Sequence, residues 1–245
     1  MLNKHVLKIW NAGRTSYAKG LQLQAVLAGR HHKQQDPAED HDTLLIVEHT
    51  PVYTIGIRTR DYSDADIKLL KATGAEFHKT NRGGLITFHG PGQLVAYPII
   101  NLKHYRCSIK WYVHALENCI INLCKKYYGL PAAMSPYTGI WINDKKVCAI
   151  GIHGSRFITT HGLALNCNVD LTWFDNIVPC GIKDKGVTSI SQETKKDVGI
   201  EAVTPQFVQT FCDTFNCAHI DYPREEQESI LRNLDGDRNE SVQIR

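Results

Sequence analysis

No stretch of the chain approaches the roughly 20 apolar residues of a membrane span. The opening Met1-Leu2-Asn3-Lys4-His5 has no apolar signal core, which argues against secretion. Acidic residues are missing as far as Gln35, and this basic opening is compatible with import into mitochondria. No Cys-x-x-Cys pair occurs among the eight cysteines, and the chain lacks the short, cysteine-dense look of a secreted scaffold. They read as reduced thiols of the cytosol or an organelle matrix, most of them small buried residues. A net charge of only +3 gives no sign of a nucleic-acid partner, although a local basic rim remains compatible with it. Phosphate-loop spacings, GxxxxGK[ST] or GxGxxG before a helix, are absent. The twelve histidines form neither a short-spaced ligand cluster nor a His-Glu-x-x-His helix. The expectation is therefore no metal, no cofactor and no ATP site.

What is present fits a globular protein. Of 245 residues, 42% are hydrophobic and 22% charged, enough for one large domain with a core. Thr15 and Ser16 are both able to cap a predicted helix running to about Gly29, with Leu21, Val26 and Leu27 inward. Residues 30–43 read as a loop. The apolar run Leu44-Leu45-Ile46-Val47 reads as a buried strand. Ser63 and Asp66 make a capping box for a short helix closed by Gly74. Strands are predicted over 85–88 and 94–100. The best helix runs from Ser108 to Tyr128 and ends at Gly129.

Short strands follow over 139–142, 146–152, 157–160 and 162–168, with Asn143-Asp144-Lys145 as a hairpin turn. A helix is predicted over 204–215. Strands come in runs with helices grouped around them, which predicts an α+β fold. No repeat or low-complexity block divides the chain. The boundaries are one domain over 1–222 and a charged, apolar-poor tail over 223–245 that reads as loose.

Cysteines at 119, 124, 148 and 167 fall within helix or strand patterns and read as structural. Cys180 differs, lying in Val178-Pro179-Cys180-Gly181. Proline fixes the approach of the chain, glycine allows close access, and a nucleophile there has backbone N–H groups nearby. Glycines flank one short strand between Arg82-Gly83-Gly84 and His89-Gly90-Pro91-Gly92, as if a ligand lay against the backbone; ordinary turn glycines fit equally. His89 and His161 each precede a glycine and read equally as structural or substrate-facing. Lys146 is an ordinary strand-end lysine unless the fold carries it beside Cys180, where a desolvated lysine acts as a base.

Together these motifs resemble the lipoyl(octanoyl) transferases of the biotin/lipoate protein ligase superfamily. The resemblance rests on residues 48–54, Arg82 through Leu94, Lys146-Val147-Cys148-Ala149-Ile150-Gly151, His161 through Asn166, and Pro179-Cys180-Gly181, in the family's order. It covers roughly residues 5–217. The wording at 165–167 and 170–174 is similar to the animal mitochondrial branch, which implies the mitochondrial matrix. His153 departs from the arginine common in bacterial relatives.

The resemblance implies a mixed sheet flanked by helices, like the catalytic core of class II tRNA synthetases. It implies that Cys180 takes an octanoyl group from acyl carrier protein, helped by Lys146. A lysine of a lipoyl domain, such as glycine cleavage H protein or a 2-oxoacid dehydrogenase E2 subunit, then takes the group. Acyl-binding positions carried over are Arg82, Gly83, Gly84, Leu85, Ile86, Thr87, Phe88 and His89, then Ala149, Ile150 and Gly151, then Gly162, Leu163 and Ala164. Lys146 and Cys180 are expected within roughly 3–4 Å or one bridging water. Arg58, Arg60, Lys79, Lys183 and Lys185 are expected to form a basic rim for acidic partners. The alternatives are an ATP-dependent lipoate-protein ligase, which needs no Pro-Cys-Gly nucleophile, and a non-catalytic acyl-carrier-binding module.

Overall fold

A computed structural model gives the architecture for residues 5–33, 41–57, 62–177 and 185–242, with side chains described to residue 236 except that of Lys33. The chain opens with β1 (Val6–Thr15) and α1 (Tyr17–Lys33). Of the two candidate caps it is Ser16 that begins the helix, its Oγ accepting from the Lys19 N–H at 3.2 Å. Next come β2 (Thr43–His49), β3 (Val52–Ile55), α2 (Asp64–Ala72), β4 (Glu76–Lys79), β5 (Thr87–His89) and β6 (Gln93–Ile99). The capping box predicted for α2 is formed in both directions between Ser63 and Asp66.

After a 3-10 turn (Leu102–His104) comes α3 (Ile109–Tyr128), capped by the Ser108 side chain and closed by Gly129 in the left-handed region at φ 65°. Four antiparallel strands follow: β7 (Ala132–Met134), β8 (Ile140–Ile142), β9 (Lys145–Ser155) and β10 (Ile158–Asn166). The chain ends with β11 (Gly186–Val187), α4 (Ile190–Thr194), α5 (Ile200–Phe215), β12 (Ala218–Asp221) and α6 (Arg224–Val242).

One mixed sheet carries the fold, in the order β12-β1-β2-β6-β10-β9-β8-β7, with β11 added parallel to β9. A smaller sheet, β4-β3-β5, sits apart from this path. In β2, successive side chains feed opposite faces. Leu44 and Ile46 join α3 and α5 in one core, whereas Leu45 and Val47 join Trp10, Leu23, Leu27 and Tyr97 beneath α1. Each such burial contributes about 1.5–3 kcal/mol, which is why an uninterrupted apolar run becomes a central strand. A third cluster, built on Tyr53, Phe88 and Phe174, fills the small sheet.

Four local expectations are corrected. Residues 157–160 and 162–168 are not two strands but the single β10, which passes through His161 at φ 56°. In α1 the fully buried side chains are Tyr17, Leu23 and Leu27, while Leu21 and Val26 stay half-buried. That helix also runs to Lys33, into the stretch read as a loop. Residues 224–242, read as loose, form a helix. Ile230 of α6 is buried, and Leu231 and Leu234 pack on the same cluster as Trp10.

Candidate active site

A cleft of about 500 Å³, its mouth included, opens between the glycine-rich loop before β5 and strands β6, β9 and β10. Its walls are largely apolar. Leu85 and Ile86 come from the loop, Val95 from β6, Ala149 and Ile150 from β9, and Leu163 and Ala164 from β10. Such a lining suits a hydrocarbon chain, with a few polar groups to orient its end. The loop lies tight on β9, the Gly83 N–H donating to the Ile152 carbonyl at 3.0 Å. A Cβ on Gly151 would stand 2.8 Å from the Gly83 carbonyl oxygen, and one on Gly162 only 2.1 Å from that of Ala96. These glycines serve close backbone packing that shapes the cleft.

Arg82 is one of two buried cations that line the cleft, with Lys146. Its guanidinium donates to the Gly83 carbonyl at 2.9 Å, the Thr54 carbonyl at 2.8 Å and Thr54 Oγ1 at 2.9 Å. Two buried histidines, His89 and His161, feel this charge, a third, His49, packs against His89, and all three are held neutral. Burial pushes the His89 imidazole down to about 3, helped by His49 and Arg82 and opposed by Gln93. Burial and Arg82 bring His161 to about 4, and burial brings His49 to about 4.

Hydrogen bonds fix how each ring is used. His49 Nδ1–H donates to the Thr15 carbonyl at 3.0 Å, and Nε2 accepts from the Tyr97 hydroxyl at 2.7 Å. His89 Nδ1–H donates to Gln93 Oε1 at 2.7 Å, because the Gln93 amide nitrogen is already donating to Phe88 O and Asn166 Oδ1. His161 Nε2–H donates to Asn81 Oδ1 at 2.9 Å; its buried Nδ1 has no hydrogen-bond partner among the described residues. Tyr17 of α1 stacks on His89 with centroids 5.9 Å apart. Burial, opposed by Arg82, raises its hydroxyl to about 12.

A buried polar chain leads from His89 to Lys146. Gln93 Nε2 donates to Asn166 Oδ1 at 2.9 Å, Asn166 Nδ2 to the Thr188 carbonyl at 2.8 Å, and the Thr188 N–H to the Lys146 carbonyl at 3.0 Å. Lys146 itself is buried in the cleft wall, its ammonium 4.7 Å from the centre of the Trp141 ring. Gly186 and Val187 of β11 pair in parallel with Lys145 and Lys146.

A profile of the lipoyl protein ligase A/B catalytic domain matches residues 16–212. The chain belongs to the lipoyl protein ligase A/B family. An octanoyl-[acyl-carrier-protein]:protein N-octanoyltransferase of Danio rerio is 52% identical over 219 residues, 88% of this chain and 95% of that one. The enzyme of that name from Homo sapiens is 41% identical over 229 residues, 89% of this chain and 97% of that one. Among solved structures, lipoate-protein ligase A bound with ATP superposes with a TM-score of 0.71 at 16% identity, over 94% of each chain. P. falciparum LipL1 in complex with lipoate gives 0.70 at 14% identity, over 88% of this chain and 66% of that one. At such identities the likeness is one of fold, and the mixed helix-flanked sheet is the lipoyl protein ligase architecture.

In this lipoyl protein ligase A/B member, the sequence-chosen positions fall into three groups. Arg82, Gly84, Leu85, Ile86, Thr87 and His89 line the cleft, as do Lys146, the triplets 149–151 and 162–164. Gly83 instead ties the loop to β9, and the Phe88 ring turns away to stack on Trp173 at 4.9 Å. Cys180, Lys183, Arg58 and Arg60 lie outside the described residues. Of the remaining basic positions, Lys79 is exposed, while Lys185 bonds Asp144 at 2.6 Å and lies 5.5 Å from the Trp141 ring that Lys146 also faces. Sequence reasoning missed Tyr17, Val95 and Tyr97 as cleft residues. They come from elements distant in sequence, and only a prediction of α1 crossing β6 would have found them.

Proposed function

We propose that the chain transfers an octanoyl group from octanoyl-acyl carrier protein to a lysine of lipoyl domains, through a thioester on Cys180. Support comes first from Lys146, buried in the wall of an apolar cleft beside the strand that follows the Cys180 segment. Gly186 stands six positions after Cys180, a reach of at most about 22 Å. In the first step the Cys180 thiolate attacks the thioester carbonyl, and the carrier's thiol leaves with a proton. In the second, the acceptor lysine amine attacks the acyl-enzyme, an amide forms and the Cys180 thiol is restored. A thioester is more reactive than the amide it yields, so no ATP enters. A nearby ammonium favours the thiolate over a thiol whose ordinary pKa is near 8.5, and the neutral lysine takes the proton of the incoming amine.

The other positions lining the cleft, from Arg82 to His89, 149–151 and 162–164, hold the acyl chain in this reading. Gly83 and Phe88 support the loop from behind. The Danio rerio, human and Arabidopsis thaliana relatives are named as mitochondrial proteins, and we place this chain in the mitochondrion, in its matrix. Glycine cleavage H protein and 2-oxoacid dehydrogenase E2 subunits are the proposed acceptors. The test is intact-mass and peptide mass spectrometry after mixing with octanoyl-acyl carrier protein, with and without ATP. An octanoyl adduct on Cys180 without ATP, lost in Cys180→Ser, is the expected result. An adduct on another residue, or transfer that requires ATP, overturns it.

A further inference from the structure

Asp42 lies just before β2, His5 just before β1, and His104 in the turn after β6. Because β1 and β2 run parallel and β6 runs antiparallel to β2, these three points meet at one end of the sheet. His49 closes the other end of β2, seven residues on, or about 23 Å at the rise of a strand. The Asp42 side chain is wholly buried, with Oδ2 2.7 Å from His5 Nε2 and 3.2 Å from His104 Nδ1. Its Oδ1 accepts the Asn101 N–H at 2.7 Å, and His31 Nε2 stands 3.8 Å from the same oxygen.

We propose that His5 Nε2, Asp42 Oδ2 and His104 Nδ1 bind one divalent transition-metal ion, zinc by the chemistry of the ligands, with water in the fourth position. The three ligand atoms lie within 4.8 Å of one another. Zinc bonds of about 2.0–2.2 Å to nitrogen and oxygen place tetrahedral ligands roughly 3.3–3.5 Å apart, so modest side-chain rotation closes the site. Two imidazoles and one carboxylate suit zinc, whereas calcium and magnesium require sets of oxygen ligands. The carboxylate is oriented from behind by the Asn101 amide, as metal-binding carboxylates generally are. His5 and His104 are 22% and 27% exposed, which gives the ion and its water a way in.

Wide sequence spacing hid this site, since its ligands stand at 5, 42 and 104, and the proposal departs from the expectation of no metal. The ion would clamp the first strand to the second and to the turn after β6. The test uses the full-length chain as Cys180→Ser, stripped of metal, so that the proposed nucleophile does not compete. Zn(II) is titrated by calorimetry and Co(II) by absorption. One equivalent is expected, with tetrahedral cobalt bands, no thiolate charge-transfer band, and a Tm rise of roughly 5–10 °C at a hundredfold excess over Kd. His5→Ala and His104→Ala each weaken binding by about 100-fold or more, while His114→Ala on α3 does not. His104→Gln replaces either alanine variant that does not fold by circular dichroism. Failure to bind one equivalent, a thiolate band, or undiminished affinity in the folded His5 and His104 variants overturns the assignment.

Discussion

The two ends of β2 carry the same residue type under opposite charges. At the cleft end, His89 and His161 lie under the field of the Arg82 guanidinium, and His49 packs against His89. At the other end, His5, His31 and His104 are gathered around the Asp42 carboxylate. At His89 and His161 burial and the nearby cation act in the same direction, and at His49 burial dominates, so the imidazoles stay neutral and serve as fixed donors and acceptors. Around Asp42 the anion opposes burial. Even His31, which burial holds below the ordinary histidine value, is pulled upward by Asp42. The sign of one partner separates a cluster built for orientation from one built to receive a cation.

The comparison predicts that the chemistry belongs to one end alone. Lys146→Ala lowers the rate of acyl-enzyme formation by about 10²–10⁴, read by rapid-quench mass spectrometry at neutral pH. Zn(II) affinity at the Asp42 end stays as it was; coupled losses would show that the ends are not independent. Replacing Arg82 is next in size. Arg82→Met strands the acceptors of Thr54 and Gly83 and destabilises the fold on the order of 3 kcal/mol in urea titration. It also raises the His89 and His161 titrations seen by NMR, since Arg82 lowers both. Unmoved imidazole resonances would remove Arg82 from the account.

The ends separate again in the pH dependence of stability. His49 and His161 titrate near 4 in the folded chain and His89 near 3, against 6.5 when unfolded. The unfolded chain therefore binds more protons as pH falls below 6.5, and stability declines from there towards pH 4. Each histidine contributes up to about 1.4 kcal/mol per pH unit. His89→Gln removes one histidine's share of that slope, measured by denaturant titration at pH 6.5, 5.5 and 4.5. Asp42 is depressed below 3.8, so its contribution is present above that value and is lost as pH falls through its folded pKa. A slope unchanged in His89→Gln would contradict a neutral His89. The smallest effect expected is from Tyr97→Phe. It leaves His49 Nε2 without its donor and costs about 1–2 kcal/mol, read as a lower Tm with little change at the Asp42 end.

Local chemistry made much of this legible in advance. Ser108 and Gly129 bounded α3, Ser63 with Asp66 started α2, and Asn143-Asp144 turned β8 into β9 because each signal acts within a few residues. The strand β1 escaped because a register shift between Asn11 and Arg14, with Gly13 at φ 63°, breaks its alternation. The edge strand β12 is exposed at every residue, so backbone pairing holds it and leaves no apolar pattern to read. In the cleft, the loop and strand segments were visible as motifs. Tyr17 and Tyr97 reach it from α1 and β6, and no local rule joins them. His5, Asp42 and His104 are brought together only by strand order.

Trp141 sits between two ammonium groups, Lys146 at 4.7 Å and Lys185 at 5.5 Å from its ring centre. The chain has four tryptophans, and the other three lie at positions 10, 111 and 173. An indole so placed is a built-in optical gauge. When an adjacent ammonium gives up its proton or moves, the field across the ring changes and the colour of its fluorescence shifts. With the other three tryptophans replaced by phenylalanine, the emission of a single natural side chain would follow Lys146 through a turnover, without a label.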